Sequence, residues 1–105
     1  MQAINAKNFD GLVLGAEELV LVIFTAKWCS ACPMSQQILD AEAKEYKGQL
    51  VVYRVDSEEN PSLTERYNVR GIPSLLFLRN GEEVDRLQGS HPKAAFNAAI
   101  ERNLR

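Results

Sequence analysis

Cys29 and Cys32 are the only cysteines of the chain, and Ser30 and Ala31 separate them. They stand between an apolar run, Leu19 to Phe24, and a helical pattern expected from Cys29 to about Tyr46. Two thiols at that spacing can close a small disulfide across the first turn of a helix. A helix N-terminus offers unpaired N–H groups and the positive end of the macrodipole, so negative charge on Cys29 is favoured there. The thiolate is the form of cysteine that attacks disulfides. Cys32, one turn further in, is placed to attack a mixed disulfide formed at Cys29. The chemistry that suits this pair is thiol–disulfide exchange.

Two other uses of the spacing compete with this one. Zinc sites commonly use Cys-x-x-Cys but need four ligands, and beyond these sulfurs the chain offers one histidine, His91, and carboxylates. A structural staple is the plainer reading, but closing so short a loop removes little entropy from the unfolded chain. A Cys-x-x-Cys beside a β–α pattern is associated instead with redox chemistry.

At 105 residues the chain is read as one domain, residues 1–105. Apolar residues make up 46% and charged residues 25%, the proportions of a globular protein. A formal charge of −2 with no basic stripe argues against nucleic acid as a partner. No apolar run is long enough to cross a membrane. Met1-Gln2-Ala3-Ile4-Asn5 lacks the pattern of a signal peptide. The expectation is a cytoplasmic location, where a cysteine pair is more often reactive than structural.

The elements around the cysteines follow from periodicity. Met1 to Ile4 is read as a short edge strand. Asn5 to Leu14 is read as a helix, capped by Asn5 or Asn8 and closed by Gly15. Leu19 to Phe24 shows no alternation, so it is expected as a strand buried on both faces, with the cysteines at its carboxyl end. The helix after it is given an apolar side of Met34, Ile38, Leu39, Ala41, Ala43 and Tyr46, and Gly48 closes it. Leu50 to Val55 is the next strand, followed by a polar connection and a helix from Pro61 to Tyr67. Ser74 to Leu78 and Val84 to Gln88 form a hairpin about Asn80-Gly81, and a helix from Lys93 to about Asn103 closes the chain. The sum is an α/β chain: a mixed, roughly five-stranded sheet with helices on both faces.

With these elements in place the chain resembles the thioredoxin family along nearly its whole length. The resemblance rests on Trp28-Cys29-x-x-Cys32 after a buried strand, and on Gly71-Ile72-Pro73 about forty residues later. Ile38-Leu39-Asp40, Asn60-Pro61, Asn80-Gly81 and Gly89 fall in the same register. It implies the thioredoxin fold, no bound cofactor and a reversible Cys29–Cys32 disulfide. Cys29 would be the nucleophile and Cys32 the resolving thiol. Pro73 would follow a cis peptide bond, aiming the Ile72 backbone at an incoming peptide. Trp28, Ile72, Pro73, Gly89 and Ser90 would form an apolar patch around Cys29, with Ser30 and Ala31 in the loop. The implied partners are protein disulfides and a flavin-dependent, NADPH-using reductase, with the protein itself a monomer.

Three departures from the family pattern bear on rate. Ser30-Ala31 replaces a usual Gly-Pro, which adds a backbone N–H near Cys29. Ile23 stands where a buried aspartate usually serves the resolving thiol, leaving the catalytic base unassigned and Arg54 without its acidic partner. Pro33 follows Cys32 in place of a lysine, and Gln37 replaces a helix-kinking proline. The readings that remain are a protein-disulfide reductase, a thiol oxidase or isomerase, and a binding module with little turnover.

Overall fold

The structure is a computed structural model that describes all 105 residues. Its elements are, in chain order, β1 (Gln2–Ala3), α1 (Phe9–Val13), β2 (Leu19–Thr25), α2 (Cys32–Glu45), β3 (Leu50–Asp56), α3 (Pro61–Arg66), β4 (Ser74–Arg79), β5 (Glu82–Gln88) and α4 (Lys93–Leu104). They build one five-stranded sheet in the order β1-β3-β2-β4-β5. β1 and β2 both run parallel to β3, whereas β4 lies antiparallel to β2 and to β5. The sheet is therefore mixed, as the change from crossover helices to a hairpin predicts.

β2 sits at the centre and all seven of its residues are buried. Successive side chains of a strand point to opposite faces, so β2 feeds two apolar layers. Val20, Val22 and Phe24 pack with Phe9, Val13, Leu63 and Tyr67 beneath α1 and α3. Leu19, Leu21 and Ile23 pack with Leu39, Phe96, Ala99 and Ile100 beneath α2 and α4. An unbroken apolar run is what such two-sided burial requires.

The hairpin between β4 and β5 turns on Asn80 (φ 52°) and Gly81 (φ 80°), two left-handed residues that match the twist of the strands. The Asn80 Oδ1 also accepts the backbone N–H of Gly15 at 2.7 Å, tying the hairpin to the end of α1.

Some expectations need correction. α1 is one short turn from Phe9; Asn8 takes its N-cap position but its side chain makes no capping bond, and the Asn5 and Asn8 side chains accept each other's backbone N–H groups in the preceding turn. α2 begins at Cys32 rather than Cys29, with Ala31 at the cap position. Its inward face is also different. Met34 and Ala41 are exposed, while Ser35 and Glu42 are buried along with Cys32 and Leu39. The spacing Cys32, Ser35, Leu39, Glu42 is a helical stripe, but its polar members hide it from a reading based on apolar residues.

Candidate active site

The carboxyl end of β2 delivers the chain into a tight turn. The Cys29 N–H donates to the Ala26 carbonyl at 3.1 Å, and the Cys32 N–H to the Cys29 carbonyl at 3.4 Å. That turn brings the two cysteines to a Cα–Cα separation of 5.5 Å, and their sulfurs are joined as a disulfide. Cys29 lies just before the cap of α2 and Cys32 is its first residue, so the pair straddles the helix start. Pro33, second in the helix, lacks the N–H that would be unpaired there in any case. Cys29 is 8% exposed and Cys32 2%, which makes Cys29 the more accessible sulfur.

The cysteines pack with Ala26, Ala31 and Ile72. Ile72 arrives on the loop before β4, where the Ile72–Pro73 peptide is cis. The Pro73 carbonyl accepts the Gly89 N–H at 2.8 Å, and the Ser74 hydroxyl donates to the Gly71 carbonyl at 2.5 Å. Gly71 permits a close approach: a Cβ there would lie 2.7 Å from the Gln88 Nε2. Arg86 on β5 donates to the carbonyls of Tyr67 and Asn68 and to Glu83, gripping the segment that leads into this loop. Sequence reasoning did not single out Arg86, since nothing in its neighbourhood signals a clamp across elements.

Of the residues named from the sequence, Trp28 is 65% exposed, which excludes a place in the core. Ser30 is exposed, Ala31 and Ile72 are half-buried, and Pro73 is buried. Gly89 is half-buried and Ser90 exposed. Exposed Pro33 and Met34 extend the apolar surface onto the first turn of α2. His91 bonds through Nε2 with the Gln88 carbonyl at 2.9 Å and stands edge-on to Phe96.

Beside the disulfide lies a cleft of about 480 Å³, lined by both cysteines and by Lys27, Arg54, Asp56 and Glu59. Arg54 pairs with no carboxylate; its Nη1 donates to the Met1 carbonyl at 3.0 Å. Lys27 faces Glu59 at 3.5 Å, both well exposed. Ile23 is 1% exposed within the apolar layer under α2. No group of three or more His, Cys, Asp or Glu side chains is placed to hold a metal ion.

Comparison with known proteins fits this geometry. The thioredoxin family model matches residues 1–102. Among curated relatives, a chloroplastic M-type thioredoxin of Pisum sativum is 40% identical over 104 residues, covering 99% of this chain and 60% of that protein. Thioredoxin 1 of Nostoc is 35% identical over 97 residues, covering 92% of this chain and 91% of the relative. A thioredoxin of Chlorobaculum thiosulfatiphilum is 32% identical over 98 residues. The chain thus spans about 60% of the length of the plant relatives it matches and nearly all of the bacterial ones. A sheet of order β1-β3-β2-β4-β5, a disulfide at the start of α2 and a proline loop packed on it agree with a match over nearly every residue, and the chain belongs to the thioredoxin family.

Proposed function

We propose that the protein is a thiol–disulfide oxidoreductase that reduces disulfides of other proteins with its Cys29/Cys32 dithiol. The observation that carries this is the placement of the redox pair: a disulfide at the mouth of α2, flanked by exposed Trp28 and by the Ile72–Pro73 loop. In the reduced protein the Cys29 thiolate attacks a substrate disulfide, and one substrate sulfur leaves as a thiolate. Cys32 then attacks Cys29, the internal disulfide closes, and the second substrate sulfur departs. Trp28, Ile72 and Gly89, backed by buried Pro73, offer a flat apolar rim that admits flexible polypeptide without strong side-chain selection. The Ile72 backbone pairs with that polypeptide as an added strand.

The cycle needs an electron donor, and a flavin-dependent NADPH reductase is the class we assign. A reducing compartment is required, either the cytoplasm expected from the sequence or a chloroplast like that of the plant relatives. The exposed rim is used by a monomer.

A second reading, a binding module with little turnover, draws support from Ile23, which leaves no buried acid beside Cys32. An insulin-reduction assay driven by dithiothreitol, with Cys32→Ser as a trap, separates the two. Turnover by the wild type and stable Cys29-linked insulin adducts in Cys32→Ser support the oxidoreductase. Binding without any covalent adduct would replace it with the module. Net oxidation of reduced substrate at a glutathione poise would point instead to an oxidase.

A further inference from the structure

The resolving step needs Cys32 to lose a proton, yet Cys32 is 2% exposed and packs on Ala26, Cys29 and Ile72. Burial in apolar surroundings disfavours the thiolate. A route for that proton must therefore exist, and Ile23 does not supply one.

The pleat of β3 does. Leu50 and Val52 belong to the layer under α2, and Tyr53 and Val55 to the opposite layer. Alternation then puts Arg54 and Asp56 on the α2 face, in register with Ile23 and Thr25 of β2. Both line the cleft that Cys32 also lines. The titratable groups around it are Lys27 from the loop after β2, Arg54 and Asp56 from β3, and Glu59 from the connection to α3. The loop before β4 packs Ile72 against the cysteines and contributes no titratable group to the cleft. Lys27 and Glu59 face each other. Asp56 is held differently: its Oδ1 accepts the N–H groups of Glu58 and Glu59 at 2.9 and 3.0 Å, and its Oδ2 accepts none.

We propose that this cleft is the proton exit of Cys32, with Asp56 as the acceptor and Arg54 as the cation that favours the thiolate. The inference rests on the oxidoreductase reading. The Cys32 S–H gives its proton, through solvent in the cleft, to the Asp56 carboxylate. The sulfur's electron pair attacks Cys29 Sγ, the Cys29–substrate S–S bond breaks, and its pair leaves on the substrate thiolate. The dithiol is oxidised by two electrons and the substrate disulfide is reduced. Asp56 returns its proton to solvent.

Reduced protein mixed with the aromatic disulfide bis-thionitrobenzoate tests this. Attack by Cys29 releases one coloured thionitrobenzoate and resolution by Cys32 releases the second, so the two steps are read apart. Asp56→Asn keeps the Oδ1 acceptor of the turn while removing the base. It is expected to leave the first phase unchanged and to slow the second roughly tenfold at neutral pH, with the difference closing as hydroxide takes over. Formate, small enough for the cleft, restores part of that rate. Arg54→Gln moves the second phase to higher pH. A second phase in Asp56→Asn that coincides with wild type at every pH overturns the proposal, as does a slowing in Glu59→Gln but not in Asp56→Asn. If the wild type shows no first phase, the oxidoreductase reading falls, and this inference with it.

Discussion

At the scale of single residues, the proposed proton exit has Ile23 and Asp56 divide what a buried acid would otherwise do alone. Ile23 contributes to the apolar layer under α2, and Asp56, from the next strand, lines the cleft that Cys32 also lines. Ile23→Asp therefore sets stability against rate. A carboxylate in that layer is expected to cost about 2–4 kcal/mol, read as a lowered urea midpoint. Insulin turnover at neutral pH should rise no more than a few-fold, because Cys32 already has a path for its proton. A gain far above tenfold would mean that the cleft carries no protons. Cys29, Cys32 and Pro73 were legible because a two-residue gap and an Ile-Pro pair are local patterns. Asp56 was not, since its place on the cleft depends on strand register across the sheet.

At the scale of elements, α2 carries a feature that its apolar residues conceal. Glu42 is fully buried between α2 and α4; its Oε2 has a long contact, 3.4 Å, with Asn97 Nδ2, and its Oε1 has no partner. Replacing a buried, incompletely partnered polar group of this kind with an apolar group of similar volume is often stabilising, whereas truncating it opens a cavity. Glu42→Leu is expected to raise unfolding free energy by about 1–3 kcal/mol and Glu42→Ala to lower it. Chemical denaturation of both variants checks the contrast. The pairing of β5 with α4 depends on Asp85, whose Oδ2 accepts from Arg102 and Asn103 at 2.8 Å. Burial alone would raise the Asp85 carboxyl. Hydrogen bonds from Asn103, the Arg86 backbone and Arg102 outweigh that and hold it below its ordinary value. The contribution is thus complete above the ordinary carboxyl range, near pH 4, and fades as pH falls through the lower folded value. The stability gap between wild type and Asp85→Asn should be widest at neutral pH and close in acid. A gap that stays constant with pH would show that Asp85 acts through shape alone.

At the scale of the molecule, the topology followed from periodicity because β2 is apolar throughout and Asn80-Gly81 marks a hairpin, so crossovers and antiparallel return were both readable. Helix boundaries were not, because α1 is short and α2 starts only after the cysteine turn has closed. The disulfide lies outside both apolar layers. A loop that short contributes about 2 kcal/mol in the chain-entropy account. Urea unfolding of oxidised and reduced protein is expected to differ by about that amount, with the reduced form still cooperative. Loss of the transition on reduction would restore the staple reading. The place of β4 has a consequence during synthesis. One layer spans Ile4 to Leu78 and the other Leu19 to Ile100, and β2 gains its second neighbour only when β4 arrives. Contacts so distant in sequence delay folding, since loop closure precedes any reward. A nascent chain that has left the ribosome only through β3 holds β2 with one flank bare, a sticky apolar edge. The protein must then wait for its own C-terminal third, or be shielded by a chaperone, before any half of it is safe from aggregation.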